Sequence, residues 1–221
     1  MKIPEIQNLF DLSHTKARPF LERARYGHEI LEKIPEIIEA IASTLGDDYE
    51  QHALDIWIAK DATISPLATV EAPAIIGRRT EVRPGAYIRG HALIGDDCVI
   101  GNSTEIKNAI LFDGVQVPHY NYVGDSILGY RAHMGAGAIC SNVRADHTEV
   151  TLQCEEERIH TGRRKLGAML GDFSEIGCGA VLCPGAIVEK EATIYPTALV
   201  RGIVPEMTIF KNTGEMKPKS K

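Results

Sequence analysis

Branched aliphatic residues recur at every sixth position over most of the chain that follows Trp57. The first run contains Ile58, Ile64, Val70, Ile76, Val82, Ile88, Ile94, Ile100 and Ile106, and a later run contains Leu170, Ile176, Leu182, Val188, Ile194 and Val200. A small residue such as Ala62, Ala68 or Cys98 follows four positions after most of them. This period fits neither an α-helix, which has 3.6 residues per turn, nor a strand, whose side chains alternate. It predicts a solenoid in which three such hexads form one coil.

The pattern resembles the hexapeptide repeat, whose known fold is the left-handed parallel β-helix, and the resemblance covers about residues 56–205. The expected fold class is therefore mainly β. We expect a left-handed parallel β-helix of about six coils at 55–206, an N-terminal α-helical segment at 1–54 and a tail at 207–221. Cys98 and Cys140 fall on small-residue and inward positions of the repeat, so both are expected to pack in the interior.

Residues 1–54 carry a helical pattern instead. Between positions 16 and 45, apolar residues recur at steps of three and four, which is typical of an amphipathic helix. Pro35 is expected to split this helix in two, and Gly46 to cap its end. The apolar stripe must cover another surface, and we expect that surface to be the open first coil near Ile58.

Composition argues against several classes of protein. The 221 residues include 24 Lys and Arg against 30 Asp and Glu, and the net charge of −6 argues against a broad nucleic-acid-binding face. No apolar run approaches the roughly 20 residues of a membrane span, and the first residues do not resemble a signal peptide. The five cysteines form no CxxC pair, so neither a disulfide framework nor a zinc knuckle is indicated. We expect a cytoplasmic protein without nucleic-acid or membrane partners.

The repeat is interrupted twice, and loops that interrupt a solenoid often carry its function. The first predicted loop is short and spans residues 117–125. The second spans 143–168 and contains a dense cluster of charges between Glu155 and Lys165. Because a long loop without a period is uncommon in a domain and usually functional, we expect the second loop to reach onto a neighbouring copy of the chain.

Several motifs surround the first predicted loop. It contains His-Tyr-Asn-Tyr-Val-Gly-Asp at 119–125 and is followed by Met-Gly-Ala-Gly-Ala-Ile at 134–139. Upstream stand Arg-Pro-Gly at 83–85 and Glu-Ile-Lys at 105–107. Together these segments resemble the acetyltransferase half of the bifunctional N-acetylglucosamine-1-phosphate uridyltransferase/glucosamine-1-phosphate acetyltransferase. The second loop, with Thr-Gly-Arg-Arg-Lys-Leu-Gly-Ala at 161–168, is more similar to the C-terminal domain of archaeal-type bifunctional sugar-1-phosphate nucleotidyltransferase/acetyltransferases.

The chemistry of acetyl transfer requires a general base. Transfer from a thioester to an amino sugar needs a neutral amine, so a proton must be removed from the ammonium group. Imidazole, with an unperturbed pKa near about 6.5, suits this task at neutral pH. The resemblance assigns the role of base to His119 and implies that Glu105 holds its imidazole ring.

The resemblance also implies which residues bind the two substrates. Arg83 and Lys107 would bind the sugar phosphate, because a forked guanidinium and an ammonium are both suited to phosphate oxygens. Tyr122 matches a tyrosine of the sugar site, and His133 stands where the family has an asparagine that contacts the sugar. The positions expected beside acetyl-CoA are Ala136, Asn142 and Cys178. No metal ligands are implied.

The sequence therefore predicts a homotrimeric, acetyl-CoA-dependent N-acetyltransferase that acts on an amino-sugar phosphate resembling glucosamine-1-phosphate. Residues 1–54 are too few for a nucleotide-binding domain, so we expect no nucleotidyltransferase half. One alternative is a non-catalytic subunit that binds a sugar nucleotide or sugar phosphate. Another is a zinc enzyme with histidine ligands at subunit interfaces, for which no ligand spacing is present.

Overall fold

The computed structural model describes residues 2–219 and consists mainly of short parallel strands that stack in three ladders, here called faces 1, 2 and 3. Face 1 contains Ile56–Ala59, Ala74–Ile76, Ala92–Ile94, the second halves of Glu105–Leu111 and Tyr122–Leu128, Ala168–Leu170, Ala186–Val188 and Ile203–Val204. Face 2 contains Thr63–Ile64, Glu81–Val82, Val99–Asn102, Gln116–His119, His133–Met134, Glu175–Ile176, Thr193–Ile194 and Thr208–Phe210. Face 3 contains Thr69–Glu71, Tyr87–Arg89, the first halves of Glu105–Leu111 and Tyr122–Leu128, Ile139–Cys140, Val181–Leu182 and Leu199–Val200. The predicted parallel β-helix is confirmed.

The described residues form more coils than the sequence suggested. Faces 1 and 2 each stack eight strands and face 3 stacks seven, which gives seven complete coils instead of about six. An antiparallel strand covers one edge at each end: Tyr49–Ala53 pairs with the first strand of face 1, and Met216–Pro218 pairs with the last strand of face 2. Residues 208–218, predicted to be a tail, therefore complete and cover the solenoid, because an unpaired strand would leave its backbone N–H and C=O groups free.

The aliphatic residues of the repeat fill the interior as predicted. Ile76, Val82 and Ile106 are at most 1% exposed, whereas Ile64 and Val70 of the first coil are half-buried. The small residues sit where one face turns into the next, and several of those with a polar side chain bond the adjacent coil, although the buried Ser174 hydroxyl has no partner among the described residues. The Thr80 and Thr104 hydroxyls, for example, donate to the carbonyls of Gly95 and Val117, and the Cys98 thiol to that of Phe112. Cys98 and Cys140 are fully buried, as expected.

The first predicted loop does not exist as a loop. Gln116–His119 and Tyr122–Leu128 are strands, and only Tyr120 and Asn121 lie between them. The repeat is shortened here instead of being interrupted: Ile106 is followed by Leu111, and Val123 by Leu128, after five residues instead of six. One continuous strand therefore crosses from face 3 to face 1 in each of these two coils, which is why the six-residue count failed at this point.

The N-terminal segment contains several short helices in place of one long helix. The α-helices are Ile6–Leu9, Arg18–Leu21 and Ile34–Ala42, and the 3₁₀-helices are Leu12–His14, Gly27–Glu29 and Leu31–Lys33. Pro35 begins the longest helix, because a proline in the first turn lacks only an N–H that has no intrahelical partner there. The helix ends at Ala42 with Ser43 as its C-cap, so the predicted cap at Gly46 was wrong. Within residues 2–219, no helix is long and apolar enough to cross a membrane.

The helices of this segment cover the outer surface of face 1, which corrects the predicted position of their apolar stripe, and only the strand Tyr49–Ala53 lies at the open first coil. Each strand of face 1 places one apolar side chain outward, and these side chains form a continuous column of Ile75, Leu93, Ile110, Ile127, Met169, Ile187 and Ile203. The helix Ile34–Ala42 contacts three of these strands. Gly27 lies so close to Met169 that a Cβ atom would be 2.6 Å from its sulfur, so the chain approaches the column here without a side chain.

The long insertion after Asn142 folds onto the same face. It contains an antiparallel hairpin of Thr151–Gln153 and Arg158–His160, and its buried residues Val150, Leu152 and Leu166 join the apolar cluster over face 1. Its Arg163 guanidinium lies 2.8 Å from Glu32 of the N-terminal segment. The hairpin therefore packs on its own chain, and the expectation that the insertion also reaches a neighbouring copy stays a prediction.

Candidate active site

Eight of the nine predicted site residues lie on face 3 or on its two edges. The edge shared by faces 2 and 3, called the 2/3 edge, carries Arg83, His119, Ala136 and Cys178. The outer surface of face 3 carries Glu105 and Tyr122, which are register neighbours on adjacent strands. The edge shared by faces 3 and 1, called the 3/1 edge, carries Lys107 and Asn142. His133 is the exception and lies on face 2.

His119 is exposed at the end of its strand on the 2/3 edge. Its backbone is fixed by Asn121, whose side-chain oxygen accepts from the His119 N–H at 3.1 Å. Asn121 is itself buried, and its amide donates to the carbonyls of Gly135 and Ala138 in the next coil. Among residues 2–219 the His119 ring makes no hydrogen bond or ion pair, so the backbone is held while the imidazole remains accessible to a ligand.

Ala136 and Cys178 continue this edge in the next two coils. The Gly137 N–H donates to the carbonyl of His119, and the Gly179 N–H donates to that of Ala136. Gly135 lets the coils approach closely, since a Cβ atom there would lie 2.9 Å from the Cys178 sulfur. Two of the three positions predicted beside acetyl-CoA are thus stacked in line with His119, with the Cys178 thiol exposed, whereas Asn142 lies on the other edge of face 3.

Glu105 is paired with Arg89 and not with His119. The Arg89 guanidinium donates to the Glu105 carboxylate at 2.6 Å, one strand below on face 3, and this bond raises the pKa of Arg89. The predicted contact between Glu105 and the base is absent from the described part of the chain. Sequence reasoning missed Arg89, which stands two residues after Tyr87, the register partner of Glu105 one coil below.

Three predicted residues meet at the 3/1 edge around a fourth that was not predicted. The Asn142 amide donates to the Asp125 carboxylate at 2.5 Å and to the Tyr122 hydroxyl oxygen at 3.1 Å. The Lys107 ammonium lies 3.6 Å from the same carboxylate. Asn108 donates to the other carboxylate oxygen at 2.8 Å. Residues expected to bind sugar phosphate and acetyl-CoA therefore share one buried anion.

The Tyr122 ring is held against the backbone of its own strand. A Cβ atom on Gly124 would lie 2.5 Å from the Tyr122 hydroxyl, so glycine is required for this ring position. Burial, with the nearby carboxylates of Glu105 and Asp125, raises the pKa of the Tyr122 phenol. The hydroxyl therefore stays protonated at neutral pH, and because it accepts from Asn142 it can donate its own proton to a ligand.

Arg83 and His133 both have acidic partners. Arg83 contacts Glu81 at 3.0 Å, and His133 Nδ1 lies 2.8 Å from the Glu175 carboxylate. His133 and Glu175 line a cleft of about 490 Å³ on face 2 that also includes Phe173. In one chain this cleft opens away from face 3, so the structure does not bring His133 to the other site residues.

No group of three or more His, Cys, Asp or Glu side chains that could hold a metal ion occurs among residues 2–219. The arrangement provides an accessible imidazole on one edge of face 3, an ammonium and a phenol on the other, and an ion pair between them. Such a surface can bind an anion and move a proton.

Asp125 and Asn121 belong to the quoted motif at 119–125, which was the available signal for both. Glu175 had no signal beyond its position one coil after His133.

Comparison with known proteins gives the family. A family model described as the GMPPB C-terminal domain matches residues 70–216. A bifunctional sugar-1-phosphate nucleotidylyltransferase/acetyltransferase of Sulfurisphaera tokodaii is 36% identical over 128 residues, which cover 58% of this chain and 32% of that protein. A bifunctional protein GlmU of Methanococcus vannielii is 36% identical over 131 residues, covering 59% and 31%. The matched region is thus about a third of the length of these relatives, and the predicted resemblance is confirmed.

Among solved structures, a UDP-N-acetylglucosamine acyltransferase of Francisella novicida aligns with a TM-score of 0.47 and 17% identity, covering 75% of this chain and 66% of that one.

Proposed function

The chain belongs to the family of GMPPB C-terminal domains, and from this premise we propose that it is an acetyl-CoA-dependent N-acetyltransferase acting on an amino-sugar phosphate in the cytoplasm. The relatives that match it carry acetyltransferase in their names or belong to the GlmU group. The observation that carries the proposal is the placement of eight predicted site residues on face 3 and its edges, although they are spread over the sequence from 83 to 178.

In this proposal His119 is the general base. Its accessible imidazole takes one proton from the substrate ammonium, and the amine nitrogen then attacks the thioester carbonyl. The carbon–sulfur bond breaks, and the departing thiolate takes up a proton that the new amide nitrogen loses. Glu105 supports the protonated imidazole through its negative charge.

The remaining residues orient the two substrates. Lys107 and Arg83 supply positive charge for the phosphate, and the Tyr122 hydroxyl donates to the sugar. Ala136 and Cys178, stacked beyond His119, line the path of acetyl-CoA, and Asn142 binds its thioester end. Holding both reactants in this geometry lowers the barrier by removing the cost of bringing them together.

A homotrimer would complete the site. Face 1 is covered by the N-terminal segment and the insertion of the same chain, so faces 2 and 3 are the surfaces left for other copies. If face 2 of one copy packs against face 3 of the next, three copies close a ring with three equivalent contacts. His133 of one copy would then lie near Tyr122 and Lys107 of its neighbour, which brings the ninth predicted residue to the site.

The direct test is release of free thiol from acetyl-CoA with a panel of hexosamine-1-phosphates and nucleotide-linked amino sugars. We expect turnover with at least one substrate and a loss of about 10²- to 10⁴-fold in His119→Ala, the usual contribution of a positioned general base. His52→Ala is the matched control, because His52 is an exposed histidine on the terminal strand Tyr49–Ala53. Near-normal turnover in His119→Ala would exclude this base.

The pairing of Glu105 with Arg89 favours one second candidate, a non-catalytic subunit that binds a sugar phosphate or sugar nucleotide. Without a carboxylate at His119, the same cations could bind a ligand without reacting. Thermal shift separates the two candidates. Stabilisation by acetyl-CoA as well as by sugar phosphates supports the transferase, whereas stabilisation by sugar ligands alone, with no thiol release, supports the subunit.

A further inference from the structure

Asp125 is a buried carboxylate at the 3/1 edge, with only 4% of its side chain exposed. One oxygen accepts from Asn108 and the other from Asn142, and the Lys107 ammonium lies 3.6 Å from the second oxygen. Burying a charge is costly unless it is paired and hydrogen-bonded, and here two amide donors and one cation supply those partners.

The side-chain partners of Asp125 come from the coil below it and the coil above it, so the cluster spans three successive coils. Lys107 and Asn108 lie one coil below, and Asn142 lies one coil above. The Asn142 amide also donates to the Tyr122 hydroxyl oxygen. A displacement of this carboxylate would therefore move a residue proposed for the phosphate and a residue proposed for acetyl-CoA together.

The backbone of Asp125 also fixes the base of the insertion. Its carbonyl accepts from the Gly167 N–H at 2.8 Å, and the Asn142 carbonyl accepts from the Leu166 N–H at 2.9 Å. A Cβ atom on Gly167 would be 2.1 Å from the Gly124 carbonyl oxygen, so the returning chain lies directly on this edge. The two ends of the insertion thus meet at the Asp125 cluster.

The position of Asp125 depends on the shortened repeat. Asp125 and Asn108 both have a positive φ, 50° and 49°, at the point where each continuous strand turns from face 3 to face 1. Asn and Asp tolerate this left-handed conformation better than other residues with side chains. Because each of these two hexads has one residue fewer, no separate turn interrupts the strand between face 3 and face 1. The side chains of Asn108 and Asp125 therefore lie close enough to form a hydrogen bond.

We propose that Asp125 is a positioning residue that holds Lys107 and Asn142 in the orientation needed for catalysis, and so couples the sugar-phosphate site to the acetyl-CoA site. This inference rests on the proposed transferase function. Asp125 itself touches neither reacting group.

A second buried aspartate provides a matched control. Asp172, with 3% of its side chain exposed, also has a lysine nearby, Lys190 at 3.4 Å. Its other partners are the backbone N–H groups of Asp11 and Tyr130, on the edge between faces 1 and 2. Asp172 thus has a similar burial and charge environment, but none of its partners is a proposed ligand of either substrate.

The experiment compares Asp125→Asn with Asp172→Asn in the thiol-release assay and in thermal unfolding. Both variants should unfold at lower temperature than wild type. We expect kcat/KM to fall about 10- to 100-fold only in Asp125→Asn, the range for losing one charged hydrogen bond. The KM for acetyl-CoA should rise, because Asn142 loses the carboxylate that orients it. The KM for the sugar phosphate should rise less, because the same change frees the Lys107 ammonium from a carboxylate that competes with the phosphate.

An exchange of the two side chains adds a readout that a purely structural role would not produce. Asn142→Asp alone brings two carboxylates together and should lower activity, whereas Asp125→Asn with Asn142→Asp restores one carboxylate and one amide. The double variant should be more active than either single variant. Additive losses, or equal kinetic effects of Asp125→Asn and Asp172→Asn, would overturn this inference while leaving the transferase intact. A wild-type protein that neither releases thiol nor binds acetyl-CoA would overturn both.

Discussion

Face 1 and face 3 have the same backbone arrangement and the same kind of inward residues, yet their outer surfaces differ in composition and in exposure. The outward column of face 1 is apolar from Ile75 to Ile203 and is at most 8% exposed. The corresponding column of face 3 is polar or aromatic in the first four coils, with Tyr87, Glu105 and Tyr122 in successive strands, and aliphatic in the last three, with Ile139, Val181 and Leu199. Leu199 is 53% exposed, so these aliphatic residues are not covered by the same chain as those of face 1 are. Face 1 is covered by its own chain, and face 3 carries the candidate site.

The inward and outward positions of this repeat therefore have separate roles. The inward aliphatic residues are interchangeable among the three faces, since each only has to fill the interior. The outward residues determine whether the N-terminal segment and the insertion pack on a face or whether that face remains available to a ligand. Substitutions at outward positions should therefore affect folding on face 1 and activity on face 3.

The largest effect is expected from a charge placed on face 1. Ile110→Lys buries an ammonium without a partner under the N-terminal segment and should cost about 4 kcal/mol or more of unfolding free energy. Ile139→Lys makes the same change at an outward position of face 3 that is 37% exposed in the single chain, and should cost the folding of that chain about 0.5 kcal/mol or less. Urea unfolding at several protein concentrations measures both, because a loss at the proposed contact between copies depends on concentration. Equal losses that do not depend on concentration would contradict the difference between the two faces.

The comparison of the two faces also requires that both enclose one interior from which solvent is excluded. The reactivity of the buried cysteines measures this exclusion. Burial raises the pKa of the Cys98 and Cys140 thiols to about 12, so at pH 8 their reactive thiolates are nearly absent. Cys178 is exposed. An aromatic disulfide reagent should label Cys178 in the native protein, and Cys98 and Cys140 should react at least about 10³-fold more slowly, until denaturant is added. Rapid native labelling of Cys140 would show an open interior.

An outward charge on face 3 should affect activity with little effect on folding. Glu105→Gln removes the ion pair with Arg89, and since both side chains are partly exposed, stability should change by less than about 1 kcal/mol. Activity should fall about 10- to 100-fold, as for a supporting residue near a base, and should recover in part at higher pH, where more of the substrate amine is already neutral and needs no base. A stability loss as large as that of Ile110→Lys would contradict the separation of roles between the faces.

The smallest effect concerns the cover of face 1. His28 is buried in the N-terminal segment, its Nδ1 has no partner among the described residues, and burial lowers its pKa. The unfolded chain, with a histidine pKa near about 6.5, then binds more protons than the folded chain, so stability is complete above that pH and falls as the pH drops below it. His28→Phe should flatten this dependence by at most one proton. Denaturant unfolding between pH 5 and 8 measures the slope, and an unchanged slope would exclude His28 as its source.

The sequence was sufficient for the solenoid because a strict six-residue period has few structural solutions. The sequence also contains a pattern that predicts packing on the outer surface of face 1, and the six-residue period alone does not show it. In every third hexad the residue before the inward aliphatic is also aliphatic, as in Ile75, Leu93 and Ile187. Such an extra residue would be exposed on an uncovered face, so it predicts that something packs there.

The N-terminal segment was less predictable because its apolar spacing says nothing about chain breaks. The N-terminal segment packs along the apolar column of face 1 with short helices, such as Ile6–Leu9 and Arg18–Leu21, and not with one long helix. Pro35 was compatible with either a break or a helix start on sequence alone, and it lies in the first turn of the helix Ile34–Ala42.

The candidate site was predicted through motifs, and its internal contacts were not. Spacing places Glu105 one coil below Tyr122, but only the geometry shows that Arg89 takes its carboxylate. Asp125 could have been found from the two five-residue steps of the repeat, since a shortened hexad must change the turn in which Asp125 stands. The partner of a buried charge depends on distances of a few tenths of an ångström, which a pattern of residue types does not contain.

The N-terminal segment has a consequence for cooperativity. In a solenoid each coil contacts only its neighbours, so unfolding can begin at one end and proceed coil by coil. Here residues 3–41 lie across the stack, from Asp172 and Ile187 in the later coils to Ile75 in an early one. The segment acts as a spine that connects coils with no direct contact between them. Unfolding of one coil therefore weakens the contacts of distant coils with the segment. As a result, we expect the solenoid to unfold in one cooperative transition and not coil by coil.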